Sequence, residues 1–155
     1  VETVRHDCPE PPGSSTVDQD GPATAQEVQP VIPKAHLEFH TLDLETGWEV
    51  PEGYPDGIEQ KILSGELDED AKTGNRTRLL RFKPGVYTTA PFRHEYWEEV
   101  YLVSGDLIVG NDENGRGGTT FGPDTYACRP PGVDHGPFKS DGGCTLLEVH
   151  YYDEI

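Results

Sequence analysis

The chain has 155 residues, a hydrophobic fraction of 33% and a net charge of −17. The length favours one domain, and acidity of this degree argues against binding to nucleic-acid phosphates or anionic membrane surfaces. No apolar run approaches the ~20 residues of a membrane-spanning helix, and no signal-peptide pattern opens the chain.

Residues 1 to 33 are polar, acidic and proline-rich, as in Cys8-Pro9-Glu10-Pro11-Pro12-Gly13. Such a stretch buries too little apolar area to offset its ordering entropy, so it is expected to be a tail or an arm. From His36 the pattern changes. His36 to Leu42 alternates apolar and polar residues, predicting a half-buried strand. Trp48 to Pro55 is a Gly/Pro-rich connection, and Gly57 to Leu63 is a second strand candidate. Ser64 to Asn75 is acidic, ends in Thr73-Gly74-Asn75, and is expected to be a turn or exposed hairpin loop.

Further strands are predicted over Thr77–Phe82, Glu98–Val103, Leu107–Val109, Tyr126–Cys128 and Cys144–Tyr152. Asn111 to Gly118 is a polar, glycine-rich hairpin tip. Short strands at regular spacing, separated by turn signals, predict an all-β sandwich or barrel over residues 34–155. Closure of the sheet would remove its exposed edges. The three cysteines, Cys8, Cys128 and Cys144, form no CxxC pair and are an odd count, which fits a reducing, cytoplasmic setting. Cys128 and Cys144 sit in apolar runs and are expected to pack as small hydrophobes.

His94, Glu98 and His135 are the right residue types to hold one divalent metal ion. Two histidines and a carboxylate with open positions suit Fe, Mn, Ni, Co or Zn. On a strand, residues two apart share a face, so Phe92, His94 and Glu98 have one parity and Glu99 the other. A bulge would exchange Glu98 for Glu99 as the ligand. Arg81 and Arg93 are candidate anchors for a substrate carboxylate or enolate oxygen. Tyr96, Trp97, Tyr126 and Phe138 flank the site as core packing or pocket walls. A Cys128–His135 nucleophilic pair is supported only by closeness in sequence.

Two stretches, Pro84 to Gly105 and Gly122 to His135, resemble the signature motifs of the cupin superfamily. Pro84-Gly85 opens the first, His94 takes the second-histidine place, Glu98 follows, and Gly105 closes it. Gly122 and Pro130-Pro131-Gly132-Val133-Asp134-His135 match the second. Thr77 to Gly85 is similar to the branch containing anti-sigma-factor cupin domains and diketone-cleaving dioxygenases. The resemblance implies a single-domain cupin jelly-roll β-barrel, an N-terminal arm and a homodimer.

The resemblance also implies a metal-dependent enzyme acting on a small organic molecule. Its leading form is a non-haem Fe(II) dioxygenase, with Tyr96 or Arg93 orienting the substrate. The alternatives are a lyase or isomerase, in which Glu99, His150 or a tyrosine moves the proton, and a non-catalytic metal- or ligand-sensing domain. Phe92 stands where the first motif histidine belongs, which reduces the ligand set to His94, Glu98 and His135. In Leu147-Glu148-Val149-His150 the apolar residues share one face. If that face is the interior, His150 lies outside, and it could replace the missing ligand only with the parity reversed.

Overall fold

The computed structural model describes residues 34–153, and every regular element among them is a strand. The expected tail at residues 1–33 lies outside the described residues. The strands are β1 (Ile58–Asp68), β2 (Thr73–Phe82), β3 (Trp97–Gly105), β4 (Leu107–Val109), β5 (Thr119–Phe121), β6 (Tyr126–Arg129), β7 (Phe138–Lys139) and β8 (Cys144–Tyr151). Five form an antiparallel sheet in the order β1-β2-β8-β3-β6, and three form a smaller one in the order β5-β4-β7.

The sheets enclose one apolar core. Ile58, Leu80, Phe82, Val100, Leu102, Cys144 and Leu146 come from the large sheet, and Leu107 and Phe138 from the small one. Burying a side chain of this kind contributes roughly 1.5–3 kcal/mol, so these nine positions dominate cohesion. The expected all-β jelly-roll is the fold observed.

Three local expectations need correction. His36 to Leu42 forms no strand. Leu37 and Phe39 are exposed and no described strand pairs with them, so the alternation has no buried face to serve. Ser64 to Asn75 is mostly not loop. β1 and β2 pair all the way from Ile58↔Phe82 to Asp68↔Thr73, across a bulge between Ile62 and Ser64. Backbone pairing carries this hairpin arm past the point where its side chains stop looking strand-like. Cys144 does pack in the core, but Cys128 is exposed on the edge strand β6.

Gly105 joins β3 to β4 and requires glycine. Its φ is +83°, and a Cβ there would stand 2.0 Å from the Gly143 carbonyl oxygen. That requirement gives the closing glycine of the first motif a physical cause.

Candidate metal centre

Strand register assembles most of the site. β3 turns Glu98, Val100 and Leu102 inward and Trp97, Glu99 and Tyr101 outward. Its one irregularity lies between Leu102 and Ser104, beyond the glutamates, so Glu98 is the inward carboxylate. Glu99 on the outer face accepts hydrogen bonds from Tyr126 Oη at 2.9 Å and Tyr151 Oη at 3.0 Å.

β8 reverses the expected parity. Cys144, Leu146, Glu148 and His150 face inward, while Leu147 and Val149 face out. His150, at 0% exposure, is among the most buried side chains of the protein. The apolar pair misled because hydrophobicity is normally the sign of an interior face. Here the interior end of β8 is polar and its charges are paired, which removes most of the cost of burial.

Backbone pairing sets Arg129, Glu98, His150 and Arg76 side by side across β6, β3, β8 and β2. Arg129 Nη1 donates to Glu98 Oε2 at 2.5 Å. One step along, Arg78 Nε donates to Glu148 Oε2 at 2.7 Å, both side chains buried. Burial pushes the Glu98 carboxyl up. His150 and Arg129 outweigh it and hold the group well below the ordinary glutamate range. Burial likewise raises Glu148, and Arg78 outweighs it and lowers the group.

The two remaining groups arrive on loops. Phe92 and His135 exchange backbone hydrogen bonds at 2.8 and 3.0 Å, and Gly132 N donates to the His94 carbonyl at 2.8 Å. These bonds fasten the two motif loops together over the end of the large sheet. His94 Nε2 lies 3.7 Å from Glu98 Oε1, and His135 Nε2 lies 3.4 Å from Glu98 Oε2. One ligand atom from each of the three falls within 4.8 Å of the others. Ligands about 2.1 Å from a common ion stand about 3–4 Å apart, so the spacing fits a metal.

The histidine tautomers fit as well. His94 Nδ1 faces the Tyr96 carbonyl at 3.0 Å, and His135 Nδ1 faces the Val133 carbonyl at 3.0 Å. A carbonyl only accepts, so each Nδ1 carries a proton, which leaves Nε2 as the nitrogen of each ring that can offer a lone pair to an ion. His94 Nε2 is buried with no hydrogen-bond partner, as expected for a nitrogen awaiting a metal. Burial lowers the pKa of His135 below its ordinary value and favours the neutral ring.

A second set, Glu98, Glu148 and His150, is also close enough to consider. Its chemistry does not fit a metal, because Arg78 already holds Glu148 Oε2 and two donors of Arg76 point at His150 Nδ1.

The structure places the other expected site residues as follows. Tyr96 is buried, and its ring lies flat on His94 at a centroid distance of 4.0 Å and an interplanar angle of 2°. It is a wall behind the ligand. Arg93 points outward in an exposed bidentate pair with Asp134 at 2.7 and 2.8 Å. Arg81 pairs with Glu59 at 2.7 Å and lies over Trp48. The arginine that reaches the site is Arg129, brought there by the pairing of β6 with β3 opposite Glu98. Phe92 stacks on Tyr54 at 4.8 Å and packs against the core, filling the place of the first motif histidine.

The ChrR Cupin-like domain profile matches residues 46–152, which include both motif loops and all eight strands. The chain belongs to the ChrR cupin-like family. Solved cupin structures share its fold. An RmlC-like cupin from Shewanella frigidimarina is 19% identical, with a TM-score of 0.53, 76% of this chain covered and 94% of that one. An acetylacetone dioxygenase from Acinetobacter johnsonii is 18% identical, with a TM-score of 0.53 and 76% of each chain covered. The polyketide cyclase RemF from Streptomyces resistomycificus is 20% identical, with a TM-score of 0.54, 76% of this chain covered and 81% of that one. At these identities the likeness establishes the cupin fold and leaves the reaction open. No curated protein matches the sequence. No described helix is long and apolar enough to cross a membrane.

Proposed function

We propose that this cupin is a metal-dependent enzyme acting on a small organic molecule, with ferrous iron as its metal and dioxygenase chemistry as its reaction. The observation that carries the reading is the convergence beside Glu98 of two Nε2 atoms, on rings each fixed at Nδ1 by a backbone carbonyl. His94, Glu98 and His135 would hold the ion. A ferrous ion so held would supply Lewis-acid and redox chemistry toward a substrate oxygen and O₂.

The chain's own residues then select and place the substrate. An apolar cavity of about 200 Å³, lined by Val100, Leu107, Val109, Phe121 and Leu146, reaches the centre through Arg129 and is not lined by the ligands themselves. Arg129 is a wall of both the cavity and the small space at Glu98 and His135. The cavity suits a short carbon skeleton, and the Arg129 guanidinium suits an enolate or diketone oxygen. Lyase or isomerase chemistry needs a proton-moving group at the centre. Glu99 is on the outer face, while Glu98 and Glu148 are both engaged by arginines. With these carboxylates engaged, a lyase or isomerase would have to use His150 or a tyrosine such as Tyr54, which lines the space at Glu98 and His135.

One observation favours a second reading. The space directly at Glu98 and His135 is only about 20 Å³, room for a water-sized group. A non-catalytic metal- or ligand-sensing domain would need no more. The expected homodimer belongs to either reading and should sediment at twice the 17.1 kDa chain mass.

Oxygen uptake by anaerobically iron-loaded protein mixed with 2,4-pentanedione separates these readings. The dioxygenase reading predicts diketone-dependent uptake that is lost in Arg129→Met. Uptake no faster than free iron, for this and other short diketones, would favour sensing.

A further inference from the structure

We infer that His150 is a positioning residue for Glu98 and not a metal ligand, and that Arg76 fixes it in that role. The inference rests on the metal reading of the same centre. The site resembles a four-ligand cupin centre with one histidine replaced by Phe92, and His150 is the spare imidazole buried beside it. Its contacts decide what it does.

His150 Nδ1 receives Arg76 Nε at 3.2 Å and Arg76 Nη2 at 2.9 Å. A guanidinium has donors and no acceptor, so Nδ1 carries no proton. The neutral ring therefore bears its hydrogen on Nε2 and has no lone pair there for an ion. That nitrogen lies 3.4 Å from Glu98 Oε1 and 3.4 Å from Glu148 Oε2, close to both and hydrogen-bonded to neither. Both oxygens are acceptors, which suits a nitrogen that carries a hydrogen. His94 and His135 show the opposite arrangement at Nδ1, which faces a backbone carbonyl in each and so carries the hydrogen. His150 Nε2 also groups with Glu98 and Glu148, apart from the His94–Glu98–His135 set. Glu98 is thus hydrogen-bonded by Arg129 on Oε2 and flanked near Oε1 by His150 Nε2, whose hydrogen limits how that carboxylate oxygen can turn.

The test is X-ray absorption fine structure on zinc-loaded protein, which counts coordinated imidazoles, together with zinc affinity by chelator competition. The inference predicts two imidazoles in the wild type and in His150→Gln. In the Gln variant the amide can accept from Arg76 while donating to the carboxylates, and affinity should stay within a few-fold. His150→Leu should keep two imidazoles and lose ~10–100-fold in affinity, the usual cost of removing an outer hydrogen-bond partner. Three imidazoles in the wild type, falling to two in His150→Gln, would make His150 a ligand and overturn the inference while keeping the metal. Unchanged affinity in His150→Leu would overturn the positioning role. No zinc bound at all would overturn the metal reading and this inference with it.

Discussion

The barrel interior has two ends built from the same three strands. At one end β2, β3 and β8 present Leu80 and Phe82, Val100 and Leu102, and Cys144 and Leu146. At the other end they present Arg76 and Arg78, Glu98, and Glu148 and His150. β2 and β8 change character at the same level, between Arg78–Glu148 and Leu80–Leu146, and β3 changes one pair earlier, with Val100 opposite Glu148. The apolar end is held by packing, which tolerates exchange of one hydrophobe for another of similar volume. The polar end is held by specific pairs, in which removing one member leaves the other buried and uncompensated. The difference shows that a strand face can be interior without being hydrophobic, provided the neighbouring strands bring the counter-charges into register.

The contrast is broken most severely at Arg78. Arg78→Met leaves Glu148 buried without its partner and should cost about 3–5 kcal/mol, measured by chemical denaturation. The double variant Arg78→Met/Glu148→Leu should recover most of that loss, which a packing role for Arg78 would not allow. At the apolar end Leu80→Ala should cost about 3 kcal/mol, within the range for a truncated buried leucine. Metal affinity of its folded fraction should be unchanged, because Leu80 carries no ligand.

Acid should also tell the two ends apart. Glu148 has a folded pKa below its ordinary value of 4.5, its burial being outweighed by Arg78. Its contribution to stability is present in full above pH 4.5 and lost as pH falls through the folded value. Metal-free protein should therefore lose stability below pH 4.5, and Glu148→Gln should flatten that part of the profile while Leu80→Ala leaves its slope intact. The smallest effects belong to the outer face. Arg93→Ala and Glu99→Gln should each cost under ~1 kcal/mol, as exposed pairs do, and leave zinc affinity unchanged.

Much of this was legible in the sequence. The two motif loops, the ligand types and the parity separating Glu98 from Glu99 could be read from spacing. Most strands could be placed from alternation and turn residues. His150 could not be placed, because Leu147 and Val149 supplied a false interior face and the counter-charges that make the true one habitable, Arg76 and Arg78, lie some 70 residues away. Arg93 stood out through closeness to the motif, whereas Arg129 reaches the site by cross-strand pairing with Glu98. The His36–Leu42 alternation had a strand's rhythm with no partner among the described strands. In each miss the deciding fact was a contact between distant segments.

Whether His94, Glu98 and His135 hold a metal is tested most directly by metal content and affinity of the purified protein, beside His94→Ala and His135→Ala. Close to one divalent ion per chain is expected in the wild type. Each variant should lose affinity by more than the ~10–100-fold typical of an outer partner, with the fold retained. A wild-type protein that takes up no metal on reconstitution, or variants that bind as tightly as the wild type, would contradict the metal reading.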